Sequence, residues 1–212
     1  MTQRESTLKE SPGHAQGSLT PSGQDPTRSG GFGGALNPPI AMAPRKPSPG
    51  FVFSHPARAI ALGFGCGLSP LAPGTVGTLW AWLVFTLLQP HMDDARWATL
   101  LGVATVVGLW ACTRTARELG VSDPGAIVWD EIVAFWCVLW LVTPAAVWAQ
   151  LWAFVLFRFF DTAKPGPVAW ADALFKARRG EPIGWRQGFG ILFDDFVAAL
   201  CTLLVIALWR VM

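Results

Sequence analysis

The residues able to do chemistry stand in four polar clusters that interrupt an otherwise apolar chain. Asp130-Glu131 opens the run Ile132-Val133-Ala134-Phe135-Trp136 and follows Ile127-Val128-Trp129. Charges at the edge of a hydrocarbon-compatible helix are costly unless they have a partner or a task. Paired carboxylates suit Mg²⁺, a hard cation usually held by one or two carboxylates, water and substrate phosphate. Two acids at a helix start also serve as plain caps that favour the dipole. A second pair, Asp194-Asp195, follows Gly188-Phe189-Gly190 and is expected to open the last apolar helix. Two acid pairs on one surface weigh against simple capping.

The other two clusters supply cations and donors. In Arg158-Phe159-Phe160-Asp161-Thr162-Ala163-Lys164-Pro165, Arg158 offers a planar fork to a phosphate and Lys164 a point charge. Arg158 and Asp161 share a face of a continuing helix, so a helix-end ion pair with a snorkelling Lys164 is the plain alternative. Asp172 follows in a Trp-containing turn and reads either way. The stretch from Gly63 to Leu79 is rich in Gly and Pro. Its glycines let backbone N–H groups approach an oxyanion, and a helix start there adds free donors and the positive end of the dipole. Gly74, Thr75 and Thr78 are its candidate substrate contacts. The stretch matches neither a Walker loop nor a Rossmann turn. A breaker loop between interfacial segments fits it equally well. Histidine adds nothing, since His14 and His55 precede the apolar part and His91 falls at its opposite face.

Composition points to a membrane. The mean hydropathy is +0.40, and only 14% of residues are charged, which is low for a soluble domain. Twelve Trp and no Tyr fit an interfacial belt, although Trp also fills ordinary cores. A net charge of +2 is too small to argue for nucleic acid. Cys66, Cys112, Cys137 and Cys201 are scattered singly without zinc spacing, and read as buried reduced thiols. Residues 1–50 are rich in Pro, Gly, Ser and Gln, cannot offset their ordering entropy, and are predicted to be a disordered tail. They lack the basic start and apolar core of a cleaved signal.

Residues 51–212 are predicted to form one unit, an all-α, compact bundle of about five short apolar helices embedded in a membrane. The predicted spans run from Thr75 or Thr78 to Gln89, Arg96 to Arg117, Asp130 to Val142, Ala146 to Phe160, and Asp194 to Trp209. Thr143-Pro144 separates the third from the fourth. Helices of ~14 residues reach only ~21 Å, short of a ~30 Å bilayer core. If every helix crosses, one face holds Arg58, Arg114, Arg117, Arg158, Lys164, Lys176, Arg178, Arg179 and Arg186. The other face holds Asp93, Asp94, Arg96 and Arg210. That bias puts the first face in the cytoplasm. The same arithmetic brings all four clusters to it.

These clusters, in this order, resemble the phosphatidylglycerophosphatase A family from about Ala61 to Leu208. The family pattern LSP-x-APGT-x-GT is met from Leu68 to Thr78, its Asp-Glu pair by Asp130 and Glu131, and RFFD-x-x-KP from Arg158 to Pro165. Its late Gly-x-Gly and Asp-Asp are met by Gly188, Gly190, Asp194 and Asp195. Ala134 stands where the family often has Gly, and the tail lies outside the pattern. The resemblance implies a Mg²⁺-dependent phosphatase of the bacterial inner membrane, multi-pass, its site facing the cytoplasm. Its lipid substrate would be phosphatidylglycerophosphate. Asp130, Glu131, Asp194 and Asp195 would hold the metal. Arg158, Lys164, Gly74, Thr75 and Thr78 would hold the phosphoryl group, with Asp161, Arg158 and Lys164 in catalysis. Attack by water and an aspartyl-phosphate on Asp161 both stay open. A transporter or ion pathway is the rival class. The spaced aspartates of CDP-alcohol phosphotransferases are missing.

Overall fold

A computed structural model describes residues 47–175 and 182–212. The expected tail lies outside them apart from its last positions, where Pro49 already opens a helix. The elements are α1 (Pro49–Phe53), α2 (Pro56–Ala61), α3 (Pro73–Leu88), α4 (Asp94–Leu119), α5 (Trp129–Val142), α6 (Val147–Ala163), α7 (Pro167–Phe175) and α8 (Trp185–Val211), with 3₁₀ turns at Gly63–Leu68 and Gln89–His91. No strand occurs among the described residues, so the all-α expectation holds.

Helix α5 is the axis of the bundle. Ile132, Val133, Phe135, Val138 and Leu139 are fully buried, and α3, α4, α6 and α8 pack around them. Two indole N–H groups of α5 donate to backbone carbonyls of its neighbours, Trp129 to Ala104 at 3.0 Å and Trp136 to Ala81 at 2.8 Å. A buried indole needs such a partner. Gly108 of α4 makes room for Trp129, since a Cβ there would lie 2.5 Å from the indole ring. Cys112 is buried, whereas Cys66, Cys137 and Cys201 are only partly so, and all four are free thiols.

Several expected boundaries move. Helix α8 starts at Trp185, not Asp194. Gln187 accepts the Gly184 amide at 2.8 Å and closes its first turn. Gly188 and Gly190 therefore lie inside a helix, and their lack of a side chain is a packing requirement. A Cβ on Gly188 would fall 1.7 Å from Thr113 Oγ1 of α4, and one on Gly190 2.4 Å from Phe175 Cβ of α7. Likewise α3 starts at Pro73 without a threonine cap. Ala72 turns into it in the left-handed region at φ 45°, and Thr78 sits in the second turn, donating to the Gly74 carbonyl at 2.8 Å. Pro73 costs no hydrogen bond there, because the first amides of a helix have no intrahelical acceptor.

The expectation of uniformly short helices is also corrected. Helices α4 and α8 have 26 and 27 residues and are apolar enough to cross a membrane. Their rise of ~40 Å exceeds a ~30 Å hydrocarbon core. Helices α3, α5 and α6, with 16, 14 and 17 residues, remain short. Helices α1, α2 and α7 fall outside the five predicted spans.

Candidate functional site

The start of α5, the end of α6, the start of α3, helix α7 and the first half of α8 meet at one end of the bundle. Arg158 stands at the centre. Its Nη1 lies 3.1 Å from Glu131 Oε1 and 2.6 Å from Asp161 Oδ2. The 158–161 pair is the one the helical spacing predicts; the pair with Glu131 is tertiary. Lys164 Nζ lies 2.6 Å from Asp194 Oδ2 and 2.7 Å from Asp172 Oδ1. Asp195, only 3% exposed, is within electrostatic reach of Asp130, Glu131, Asp161 and Asp194. The two acid pairs therefore do converge, although α8 brings its pair from within the helix and not from its start.

Five buried side-chain atoms here have no hydrogen-bond partner. They are Asp130 Oδ1, Glu131 Oε2, Asp194 Oδ1, Asp195 Oδ2 and Arg158 Nε. A buried carboxylate oxygen without a partner is costly, and native structures hold few such atoms. Four from four acids, beside an unpartnered guanidinium N–H, make a place that calls for a cation and an oxyanion together. Among the described residues no group of three or more His, Cys, Asp or Glu forms a ready-made metal cage. Mg²⁺ does not need one, since it keeps water and substrate oxygens in most of its positions. On donor chemistry the four acids fit that ion.

The Gly-rich segment enters through α3. A Cβ on Gly74 would lie 1.9 Å from Glu131 Oε1, so only glycine lets α3 begin against that carboxylate. With Pro73 at the first position, the amides of Gly74 and Thr75 are the helix-start donors without an intrahelical acceptor. Thr78 is fully buried, and its hydroxyl proton is engaged by Gly74.

Lys164 closes α6 in the left-handed region at φ 44°. A non-glycine residue there costs on the order of 1–3 kcal/mol and persists only when its surroundings hold it. Here its backbone N–H donates to the Phe160 carbonyl at 3.0 Å and its ammonium to the two carboxylates. Burial alone would lower the ammonium pKa, but the hydrogen bonds it donates to Asp172 and Asp194 outweigh that and raise the pKa.

Sequence reasoning misses part of the site. Ser122, Asp123, Asp172, Gln187 and Asp194 line a small cleft of about 20 Å³, space for roughly one water. Asp123 is not among the candidates drawn from the sequence, yet its charge reaches Asp130, Glu131 and Asp194. An Asp-Pro turn carries no signal that would mark it. Asp172 has one: with Val168, Ala171 and Phe175 it falls at i, i+3, i+4 and i+7 of α7, the packed stripe.

Described basic residues are engaged at both ends of the bundle. At the site end Arg58 pairs with Glu118 at 2.6 Å, and Arg117 donates to the Ile183 carbonyl at 2.6 Å. At the far end Arg210 donates to the Val142 carbonyl and Trp140 to Asp94. Lys176, Arg178 and Arg179 lie outside the described residues.

The described residues form an all-helical bundle with two helices long and apolar enough to cross a membrane and a buried acid–guanidinium site. The sequence model of Phosphatidylglycerophosphatase A matches residues 59–210, and the chain belongs to that family. It is 37% identical over 151 residues to the Phosphatidylglycerophosphatase A of Escherichia coli, covering 69% of this chain and 79% of that one. The Haemophilus influenzae protein of the same name is 35% identical over 153 residues, 72% and 87% of the two chains. A Bacteroides thetaiotaomicron protein, provisionally named phosphatidylinositol-3-phosphatase, is 35% identical over 158 residues, 71% and 91%. No solved structure matches. The chain is thus a phosphatase, a phosphoric monoester hydrolase.

Proposed function

We propose that this chain hydrolyses phosphatidylglycerophosphate to phosphatidylglycerol and phosphate in a bacterial inner membrane, with its site at the cytoplasmic headgroup level and Mg²⁺ as its cofactor. The observation that carries the chemistry is the set of four unpartnered carboxylate oxygens around the unpartnered Arg158 Nε. The named relatives supply the lipid. The transport reading needs polar groups spread through the depth of the bundle. Beyond Asp195, α8 has no charged residue before Arg210, at the other end.

Asp130, Glu131, Asp194 and Asp195 hold the ion in this reading. Bound Mg²⁺ supplies positive charge to phosphoryl oxygens and acidifies water. Arg158 binds the phosphoryl group through its buried Nε, and the Gly74 and Thr75 amides face the same anion. These fixed donors act on charge that spreads over the phosphoryl oxygens in the transition state. Thr78 is left out, because its proton is already given to the Gly74 carbonyl. Asp161 holds Arg158 at 2.6 Å, and we assign it that task instead of nucleophilic attack. Lys164 neutralises Asp194 and keeps one N–H for substrate.

The test is phosphate release by the purified full chain from phosphatidylglycerophosphate in mixed micelles, with and without Mg²⁺, against phosphatidylinositol-3-phosphate as competing substrate. Release that requires Mg²⁺ and prefers the glycerophosphate is expected. Preference for the inositol lipid overturns the substrate; full activity in a strong chelator overturns the metal. Acid quenching with substrate labelled in its terminal phosphate should leave no label on the protein. Trapped label would restore Asp161 as nucleophile.

A further inference from the structure

We propose that Asp172 is a positioning residue for the reaction, fixing the Lys164 ammonium in the site so that it can meet the phosphoryl group. This rests on the phosphatase reading above. Helix α7 is short and apolar on both faces, with Asp172 as its one charged residue. Val168 and Ala171 are buried, Phe175 lies against Gly190 of α8, and Trp170 and Leu174 face outward. Asp172 falls on the packed stripe, its side chain 17% exposed, where a carboxylate is tolerated only with partners. Lys164 Nζ is one, at 2.7 Å.

The ammonium has two anchors, and they are not equivalent. Asp194 is also in the metal set, and its Oδ1 is buried without a partner. A divalent ion on that carboxylate repels the ammonium beside it. Asp172 is on another helix and is the anchor that such an ion leaves in place. The left-handed backbone of Lys164, tied by its own N–H to the Phe160 carbonyl at 3.0 Å, starts the side chain from a fixed point, and the two carboxylates set where its ammonium ends. An ammonium carries three donors, and two carboxylates use two of them. The third is then aimed by Asp172 and available to a phosphoryl oxygen.

The experiment measures equilibrium binding of inorganic phosphate to the full chain in detergent with Mg²⁺, alongside kcat and KM for phosphatidylglycerophosphate and the thermal unfolding midpoint. Asp172→Asn should weaken phosphate binding tenfold or more with an unchanged midpoint, and Asp172→Glu should recover most of it. In a Lys164→Met background, Asp172→Asn should add no further loss, because the two residues act as one unit. Phosphate affinity equal to wild type in Asp172→Asn overturns the proposal. So does an equal additional loss in the Lys164→Met background, which would make Asp172 independent of Lys164. Asp172→Ser is read the same way if the Asn variant does not fold. A wild-type chain that releases no phosphate from the lipid sinks the phosphatase reading itself. Unchanged affinity of Asp172→Asn in an active enzyme sinks only this inference.

Discussion

At the scale of the residue, the site is a balance of buried charge. Glu131, Asp161 and Arg158 neutralise one another in part, and Lys164 does the same for Asp172 and Asp194. Asp195 has no cation within salt-bridge distance among the described residues. Asp195→Asn keeps the shape and removes the charge. It should abolish turnover while leaving membrane insertion and the unfolding midpoint close to wild type, measured by phosphate release and thermal unfolding in detergent. Arg158→Lys should lower kcat/KM by about tenfold or more, because a point charge cannot reach Glu131 and Asp161 and still present a planar N–H to phosphate. Gly74→Ala tests the close approach of α3. A Cβ 1.9 Å from Glu131 Oε1 must push that carboxylate aside. Activity should fall at least tenfold, and Mg²⁺ should be needed at higher concentration.

At the scale of the element, the glycines of α8 decide how closely the helices approach. Gly188→Ala puts a methyl 1.7 Å from Thr113 Oγ1 and 2.8 Å from its Cβ, so α8 must move off α4. Forced overpacking of this kind costs about 1–3 kcal/mol. Gly102 of α4 is the control, since a methyl added there meets nothing within 4 Å. Gly102→Ala should leave the midpoint unchanged or raise it slightly, since alanine is the better helix former. Comparing the two midpoints separates packing from propensity. Because Asp194 and Asp195 ride on α8 one to two turns further on, Gly188→Ala should also cost activity.

At the scale of the molecule, every described polar cluster of the site lies at one end of the bundle and Arg210, Asp93, Asp94 and Arg96 at the other. Under the proposed orientation, His91 faces the periplasm and Ser54, beside Arg58, the cytoplasm. In a background lacking the four native thiols, His91→Cys should react with a membrane-impermeant maleimide in intact spheroplasts. Ser54→Cys should react only after lysis. The opposite pattern overturns the orientation and leaves the site chemistry untouched.

The chain by itself determined its helical class, the order of its long helices, and nearly all of the chemistry. Asp130, Glu131, Arg158, Asp161, Lys164, Asp194 and Asp195 stand out because charge is rare and conspicuous in apolar sequence. The Arg158–Asp161 pair is legible because both lie on one helix at local spacing. Tertiary structure decided what depends on contact between distant segments. The Glu131–Arg158 pair, the Asp172–Lys164–Asp194 bridge and the reach of Asp123 come from the packing of α5, α6, α7 and α8. Gly188 and Gly190 read as loop residues because glycine disfavours helices locally. They are helical because Thr113 and Phe175 need the space, and no local propensity records a neighbour's side chain.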